Sequence, residues 1–209
     1  MGFEFSEVIT SEAQIRGVIG SPNQRVLKKQ IASLDEHCRA FIAKSPFLLI
    51  SSCDGNGNMD VSPKGDPPGF VRVLDDETLA IPDRPGNRRA DTFRNLLANP
   101  NVGLLFLIPG KQETLRISGT ALIVRDRWVR EPMGMAGKLP ELAVIVKVRE
   151  VFFHCAKCVI RSKLWESGSW PDPKGLPSLA RVMVDQGKLE ESLEEMEALI
   201  EQSNRERLY

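Results

Sequence analysis

Four arginines crowd the stretch IPDRPGNRRADTFRNLLANP, which runs from Ile81 to Pro100. Within it, Asn87, Arg88 and Arg89 stand where a loop turns into a helix whose Phe93, Leu96 and Leu97 are spaced to face inward. Main-chain N–H groups of a first helical turn attract an anion, and an arginine beside them can clasp phosphate oxygens in bidentate fashion. Arg84 reads as solvent-facing, and Arg94, farther along the helix, as a salt-bridge partner. A second cationic feature lies upstream in DVSPKGD, Asp60 to Asp66, where Ser62 offers a hydroxyl, Pro63 stiffens the chain and Lys64 brings an ammonium group. Taken singly, the arginine run also reads as a solvated face and the lysine as a surface turn residue. If the strand ending in Lys64 lies beside the strand feeding Arg88 and Arg89, both cation sets meet at one rim.

Two later motifs compete for attention. In HCAKC, His154 to Cys158, the cysteines have the two-residue gap of zinc knuckles and thiol redox motifs. A structural zinc site wants four ligands, and no second paired knuckle exists; the strand-to-helix setting of a redox pair is also missing. The expectation is therefore no metal, with these side chains satisfied or buried after a strand. In IRSKLW, Ser162, Lys163 and Trp165 supply a hydroxyl, a cation and an indole that can reach an anion or stack on a ring, packing being the competing reading. Trp128 and Met133 belong to RDRWVREPMGMAGKLP, Arg125 to Pro140, an irregular or briefly helical flap.

The elements that must position these residues change period along the chain. SPNQ, from Ser21, and SLDE, from Ser33, read as capped helix starts, and the second helix sets Leu34, Cys38, Phe41 and Ile42 near one face before Pro46 stops it. Then FLLISSC and MDVS flank the turn DGNGN, FVRVL and ETLAIP flank Asp75–Asp76, VGLLFLI and TLRISGTALIV flank PGKQE, and LAVIVKVREVFF makes a last long strand. Six or seven strands with short turns and one interposed helix predict a mainly β fold with flanking helices, an antiparallel barrel; a parallel sheet would need a crossover helix after nearly every strand. The expected organisation is effectively one domain: a helical segment over residues 1–46 packed on the barrel, a barrel core over 47–165, and a loop plus helix over 166–209. The loop is SGSWPDPKGLP, and the helix begins after Lys188 with Leu189, Leu193, Met196 and Ile200 at helical spacing.

Bulk composition narrows the partners. The 209 residues carry 28 Lys plus Arg against 28 Asp plus Glu, so no polycationic surface suits nucleic acid, and none is expected as a partner. MGFEFSEVIT carries acids and no long apolar run, and the longest apolar run, LLFLIP, is too short for a bilayer helix; four scattered cysteines are no disulfide scaffold. A cytoplasmic chain without membrane partners is the expectation.

One ordered series then acquires a family likeness: an apolar strand, a strand ending in lysine, a hairpin, a polar-basic-basic triplet opening a helix, NPNVGLLF, and LRISGTA. The series resembles the pyridoxamine 5'-phosphate oxidase-like family of FMN-binding split barrels, over roughly Phe47 to Phe153. Asn87-Arg88-Arg89 matches the family's Ser-Arg-Lys triplet, which grips the FMN phosphate. Arg116, Ile117, Ser118, Gly119 and Ala121 match its Arg-aliphatic-x-Gly-x-Ala strand, and Lys64 falls where an early strand supplies a lysine. The glutamine that true pyridoxamine phosphate oxidases place before that strand is absent, with Thr114 near the position, as is their terminal tryptophan and Arg-Leu-Pro. Their vitamin-processing reaction is thus not expected here.

The resemblance implies a split β-barrel of the FMN-binding type, FMN as cofactor, and a homodimer with flavin sites at the interface. The cofactor-binding residues it implies are Ser62, Lys64, Asn87, Arg88 and Arg89, with Asp60 and Val61 presenting backbone groups and Ser162, Lys163 and Trp165 reaching the flavin, across the dimer seam if need be. The implied activity is an FMN-dependent oxidoreductase with a small-molecule electron donor or acceptor. A non-catalytic flavin-binding or electron-carrier protein, and a split barrel holding a deazaflavin or haem, are the alternatives.

Overall fold

The computed structural model describes residues 2–209; Met1, where the expected helical segment begins, lies outside the described residues. Helix α1 (Glu12–Ile19) opens on a reciprocal capping box between Ser11 and Gln14. Helix α2 (Gln24–Lys28) starts after Asn23 and not after Ser21, because the Asn23 side chain accepts the Arg25 N–H at 2.9 Å. Neither helix buries a residue. Helix α3 (Glu36–Lys44) does, placing Cys38, Phe41 and Ile42 in the core. Its cap is Asp35, whose carboxylate accepts the Cys38 N–H at 2.8 Å, so the start lies two residues beyond the Ser33 box read from sequence. The Cys38 thiol, and then the same N–H bond, hold the Asp35 carboxyl below its ordinary value.

Seven strands form one sheet: β1 (Phe47–Cys53), β2 (Met59–Gly65), β3 (Arg72–Val73), β4 (Thr78–Pro82), β5 (Asn101–Leu107), β6 (Thr114–Val124) and β7 (Ala143–His154). Their order is β2-β1-β5-β6-β7-β4-β3, and every pairing is antiparallel. Alternation drives the curl. Leu48 and Ile50 of β1, Leu104 and Phe106 of β5, Leu115 and Ile117 of β6, and Val146 and Val151 of β7 are all buried in a single core. Each such side chain contributes about 1.5–3 kcal/mol of burial, so reversing one strand's face would be costly.

Two features make the barrel split. A register shift at Ser118/Gly119 bends β6 against β7, as bulges do. At the ends of the order, β2 and β3 have no ladder partner on their outer edges among the described residues. Pro63, which cannot donate to a ladder, sits on edge strand β2, and β3 is only two residues long; both are ordinary ways to blunt an edge.

Helix α4 (Asp91–Ala98) joins β4 to β5 and packs on β1, β6 and β2. Polar bonds seat it: the Thr92 hydroxyl donates to Asp60 at 3.1 Å, and the Asn95 amide donates to Ser52 at 3.1 Å. Leu96 is buried as the spacing predicts, but Leu97 is 82% exposed, because only one face of so short a helix meets the sheet. The flap between β6 and β7 contains α5 (Arg127–Arg130) and a 3-10 turn over Glu131–Met133; Val129 and Met133 are buried there with Ala80 and Ala143. Trp128 points outward. Helix α6 (Lys157–Ser162) follows β7. Two helices close the chain where the sequence suggested one: α7 (Leu179–Gly187) packs on α8 (Leu193–Glu206), and Leu189 falls in the turn between them. Among the described residues no helix is long and apolar enough to cross a membrane.

The LRISGTA motif acquires a physical meaning at the bulge. A Cβ at Gly119 would stand 2.0 Å from the Lys147 carbonyl oxygen, whereas one at Gly103 would meet nothing closer than 3.9 Å. Gly119→Ala is expected to destabilise the fold by about 3 kcal/mol or more, through backbone displacement in the two longest strands. Denaturant midpoints compared with Gly103→Ala measure this; equal midpoints would show that the bulge tolerates a side chain.

Candidate functional site

The period of β2 decides which of its residues face inward. Asp60, Ser62 and Lys64 alternate with the exposed Met59, Val61 and Pro63, so the first three share a face. Beyond β4 the chain runs through a loop, residues 83–90, into α4. Ser62 and Lys64 from β2, and Asn87 and Arg88 from this loop, line one cavity of about 770 Å³. The two cationic stretches of the sequence therefore converge.

Local backbone chemistry shapes the loop. Arg88 and Ala90 both have positive φ, 61° and 59°, a left-handed conformation that side chains disfavour by about 1–2 kcal/mol per residue. Such strain concentrates at functional sites. The Asn87 side chain tightens the turn by accepting the Arg89 N–H at 3.0 Å. Ala90 is the helix cap and has no side-chain acceptor to offer, so the first-turn N–H groups of α4 receive no side-chain cap beside the cavity. Arg89 turns away: it is 71% exposed, pairs with Asp91 at 2.7 Å, and does not line the cavity. That pairing pushes its pKa further up. Among the described residues, Lys64 and Arg88 make no ion pair, although the Lys64 charge acts on Asp83 in the same cavity. Arg94 makes none either, and the salt-bridge role expected for it is absent.

Arg84 is the clearest departure from the sequence reading. Its side chain is 17% exposed and binds Asp66, itself 1% exposed, at 2.6 Å; Nη2 also donates to the Met133 carbonyl at 2.9 Å. Asp66 follows β2 and Arg84 follows β4, so this pair ties together two ends of the sheet that no ladder joins among the described residues. Asp83 also lines the cavity; burial pushes its carboxyl above the ordinary value, against the pull of the Lys64 and Arg84 charges. Three further lining groups lay beyond local sequence reasoning: Lys138 in the flap, and Arg207 and Tyr209 after α8. The Tyr209 hydroxyl donates to Asp66 at 2.8 Å. No spacing signal marks these residues, since they come together only through long-range packing.

Other sequence candidates lie elsewhere. The Ser162 hydroxyl donates to the Val159 carbonyl at 3.1 Å, Lys163 caps α6 in a left-handed conformation, and the Trp165 indole donates to the Lys111 carbonyl at 2.8 Å. None of the three lines the cavity of its own chain. Val61 is 59% exposed on the opposite side of β2 from Ser62 and Lys64. Burial and the charges of Arg116 and Lys29 lower the His154 pKa, while the Lys157 N–H lowers that of the exposed Cys155. Among the described residues no group of three or more His, Cys, Asp or Glu side chains is placed to hold a metal ion.

A seven-stranded antiparallel sheet curled into a split barrel, with helices on its flanks, defines the class: the FMN-binding split barrels. The sequence profile of the pyridoxamine 5'-phosphate oxidase family matches residues 34–155, more than half of the chain, and the chain belongs to that family as a divergent member. Solved structures similar to it include HupZ of Group A Streptococcus, at 17% identity and TM-score 0.47 over 57% of this chain and 92% of that one. An FMN-binding protein from Syntrophomonas wolfei is 12% identical, with TM-score 0.44 over 68% and 93% of the two chains. HutZ, the heme storage protein from Vibrio cholerae, is 18% identical, with TM-score 0.43 over 57% and 93%. No curated protein matches the chain.

Removing one partner of a buried ion pair strands the other. Arg84→Ala is expected to cost about 3–5 kcal/mol, because the Asp66 carboxylate stays buried without its cation. Adding Asp66→Asn should recover part of that loss. Chemical denaturation of the two single variants and the double variant measures the coupling, and strictly additive losses would contradict a direct pair.

Proposed function

We propose that the cavity binds FMN and that the protein is an FMN-dependent oxidoreductase acting with a small-molecule electron donor or acceptor. The observation that carries this reading is the meeting of Lys64, Arg88 and the α4 N-terminus around one cavity. Neither cation is held in an ion pair among the described residues, although Asp83, Asp91, Glu141 and Glu206 also line the space. Ligand pockets commonly hold about 300–1,000 Å³, and this volume falls inside that range. A phosphate monoester matches the donor set: Arg88 offers a fork, Lys64 a point charge, and α4 its first-turn N–H groups.

The remaining residues have definite tasks in this reading. Asn87 holds the turn that aims Arg88, and the Ser62 hydroxyl donates beside Lys64. Asp60 and Val61 lie on edge strand β2, which pairs with β1; along such a strand every second residue turns its main-chain groups outward, so one of the two is free to bond a heterocycle's polar rim. Bound there, the flavin would supply electron-transfer chemistry; the chain's own contribution is to hold, orient and shield it. No residue is assigned as a general acid or base. Four free thiols suit the reducing cytoplasm expected for the chain.

The reading includes a homodimer. Phe47, Met59 and Val61 are exposed on the outer face of β1 and β2, where Leu49 and Pro63 stand opposite each other in register. A second copy would cover this apolar face. The partner subunit's Ser162, Lys163 and Trp165 would then be available to the flavin, which their own chain keeps them from reaching.

Gently purified protein is expected to be yellow and to release FMN, identified by mass. A haem or deazaflavin spectrum would replace the cofactor in this reading. Flavin bleaching by reduced nicotinamide would favour a reductase over a carrier. Arg88→Ala should weaken FMN about 10- to 100-fold while changing riboflavin little, in line with about 1.5–3 kcal/mol for a charged hydrogen bond. Arg89→Ala should change either only a few-fold, since its exposed pair with Asp91 is worth little. Equal losses of FMN and riboflavin would rule out a phosphate clasp at Arg88. For the assembly, Val61→Glu is expected to halve the mass measured by light scattering; an unchanged dimer would place the interface elsewhere.

A further inference from the structure

We propose that Tyr209 is a ligand-contact residue of the cavity: the chain after α8 folds back so that the phenol ring forms one wall, and a planar aromatic portion of the bound molecule packs against it. The ligand class is thus a phosphate monoester carrying a flat ring system, of which FMN is one member, and the inference rests on the cavity reading above.

The fold-back is anchored at separate points around the cavity. The Arg207 guanidinium donates to the Gly86 carbonyl at 3.5 Å, on the loop after β4. The Lys138 ammonium donates to the main-chain oxygen of Tyr209, from the flap ahead of β7. The Tyr209 hydroxyl donates to the buried Asp66 at 2.8 Å, beyond β2, and its ring centroid lies 5.6 Å from the Arg84 guanidinium carbon. Hydrophobic burial does not explain this course, since the neighbouring Leu208 is 65% exposed. What the contacts do is fix an aromatic ring at the edge of the space lined by Lys64 and Arg88.

The chemistry of the walls then becomes complementary to a two-ended molecule. Cations and first-turn N–H groups suit a phosphate at one end. A tyrosine ring with its hydroxyl committed to a carboxylate and the Arg84 guanidinium over one side has its other apolar face to offer, and this suits a flat aromatic system. Asp66 and Arg84 act through Tyr209 and are positioning residues in this scheme. The bond to Asp66 also raises the phenol pKa above the ordinary 10.0, which keeps the hydroxyl protonated as its donor through the neutral range.

The chain contains one tyrosine, so ring-labelled tyrosine yields a single set of resonances in the full-length protein. Saturating FMN is expected to move them strongly, and inorganic phosphate far less. Tyr209→Ala should weaken FMN about tenfold, the scale of losing one aromatic stacking contact, and leave phosphate affinity unchanged. Tyr209→Phe, which keeps the ring and drops the bond to Asp66, should fall between wild type and Tyr209→Ala. Unmoved resonances in protein shown to hold FMN, or FMN affinity in Tyr209→Ala within twofold of wild type, would overturn the inference while sparing the FMN site. Equal weakening in the Phe and Ala variants would also overturn it, by assigning the effect to the hydroxyl alone. Wild-type protein that binds no FMN at all would remove the site reading and this inference together.

Discussion

A single buried ion pair holds the site's geometry. The sheet order leaves β2 at one end and β3, with its neighbour β4, at the other, and no ladder hydrogen bond joins the two ends. Asp66 and Arg84 bridge this gap in a nearly dry setting, where an uncompensated charge would be expensive and a paired one directional. Because Lys64 stands two residues before Asp66 and Arg88 four after Arg84, the pair also sets how closely the two free cations approach. The third participant, Tyr209, uses the remaining carboxylate oxygen of Asp66 and brings the chain after α8 into the same network.

Electrostatics in the site is local and does not follow from the neutral total. Several cations pair off on the surface: Arg89 with Asp91, Lys111 with Glu113, Arg125 with Glu141, Arg127 with Glu131. Such exposed pairs contribute little to stability. Among the described residues Lys64 and Arg88 form no ion pair, although Asp83 feels the Lys64 charge, and they stand beside a helix start that has no capping side chain. Strain at Arg88 and Ala90 points the same way, since two left-handed non-glycine residues persist in one short loop only if the surroundings impose them. The barrel supplies that imposition through α4, which Thr92 and Asn95 fasten to Asp60 and Ser52.

Much of the fold was legible because its signals are short-range. Alternating apolar residues and turn-rich junctions announced the strands; the bulge at which Gly119 is needed was not legible in LRISGTA, which read as an unbroken strand. Helix starts were read less accurately where two acceptors compete: Asn23 and Asp35 reach the first-turn N–H groups in place of Ser21 and Ser33. Helix α7 escaped notice because the preceding glycine- and proline-rich loop masked its short apolar pattern. In the site, the meeting of the Lys64 and Arg88 stretches was expected only if their strands lay side by side; β2 and β4 share no ladder, yet Ser62, Lys64, Asn87 and Arg88 line one cavity. Arg84 and Arg89 were not distinguished correctly, since neighbouring arginines look alike until one finds a buried carboxylate and the other an exposed one.

The amino-acid order by itself determined the mainly β architecture and the loop-to-helix placement of the basic triplet, because periodicity and turn chemistry act over a few residues; the face that β2 turns inward carries Asp60, Ser62 and Lys64, against its apolar alternation, and was decided by the fold. Only the tertiary structure decided which cations remain unpaired, that Arg84 is buried against Asp66, and that Lys138, Arg207 and Tyr209 border the same cavity. Those outcomes depend on contacts between residues as much as 143 positions apart. Local pattern carries no record of such distances; closure of the barrel creates them.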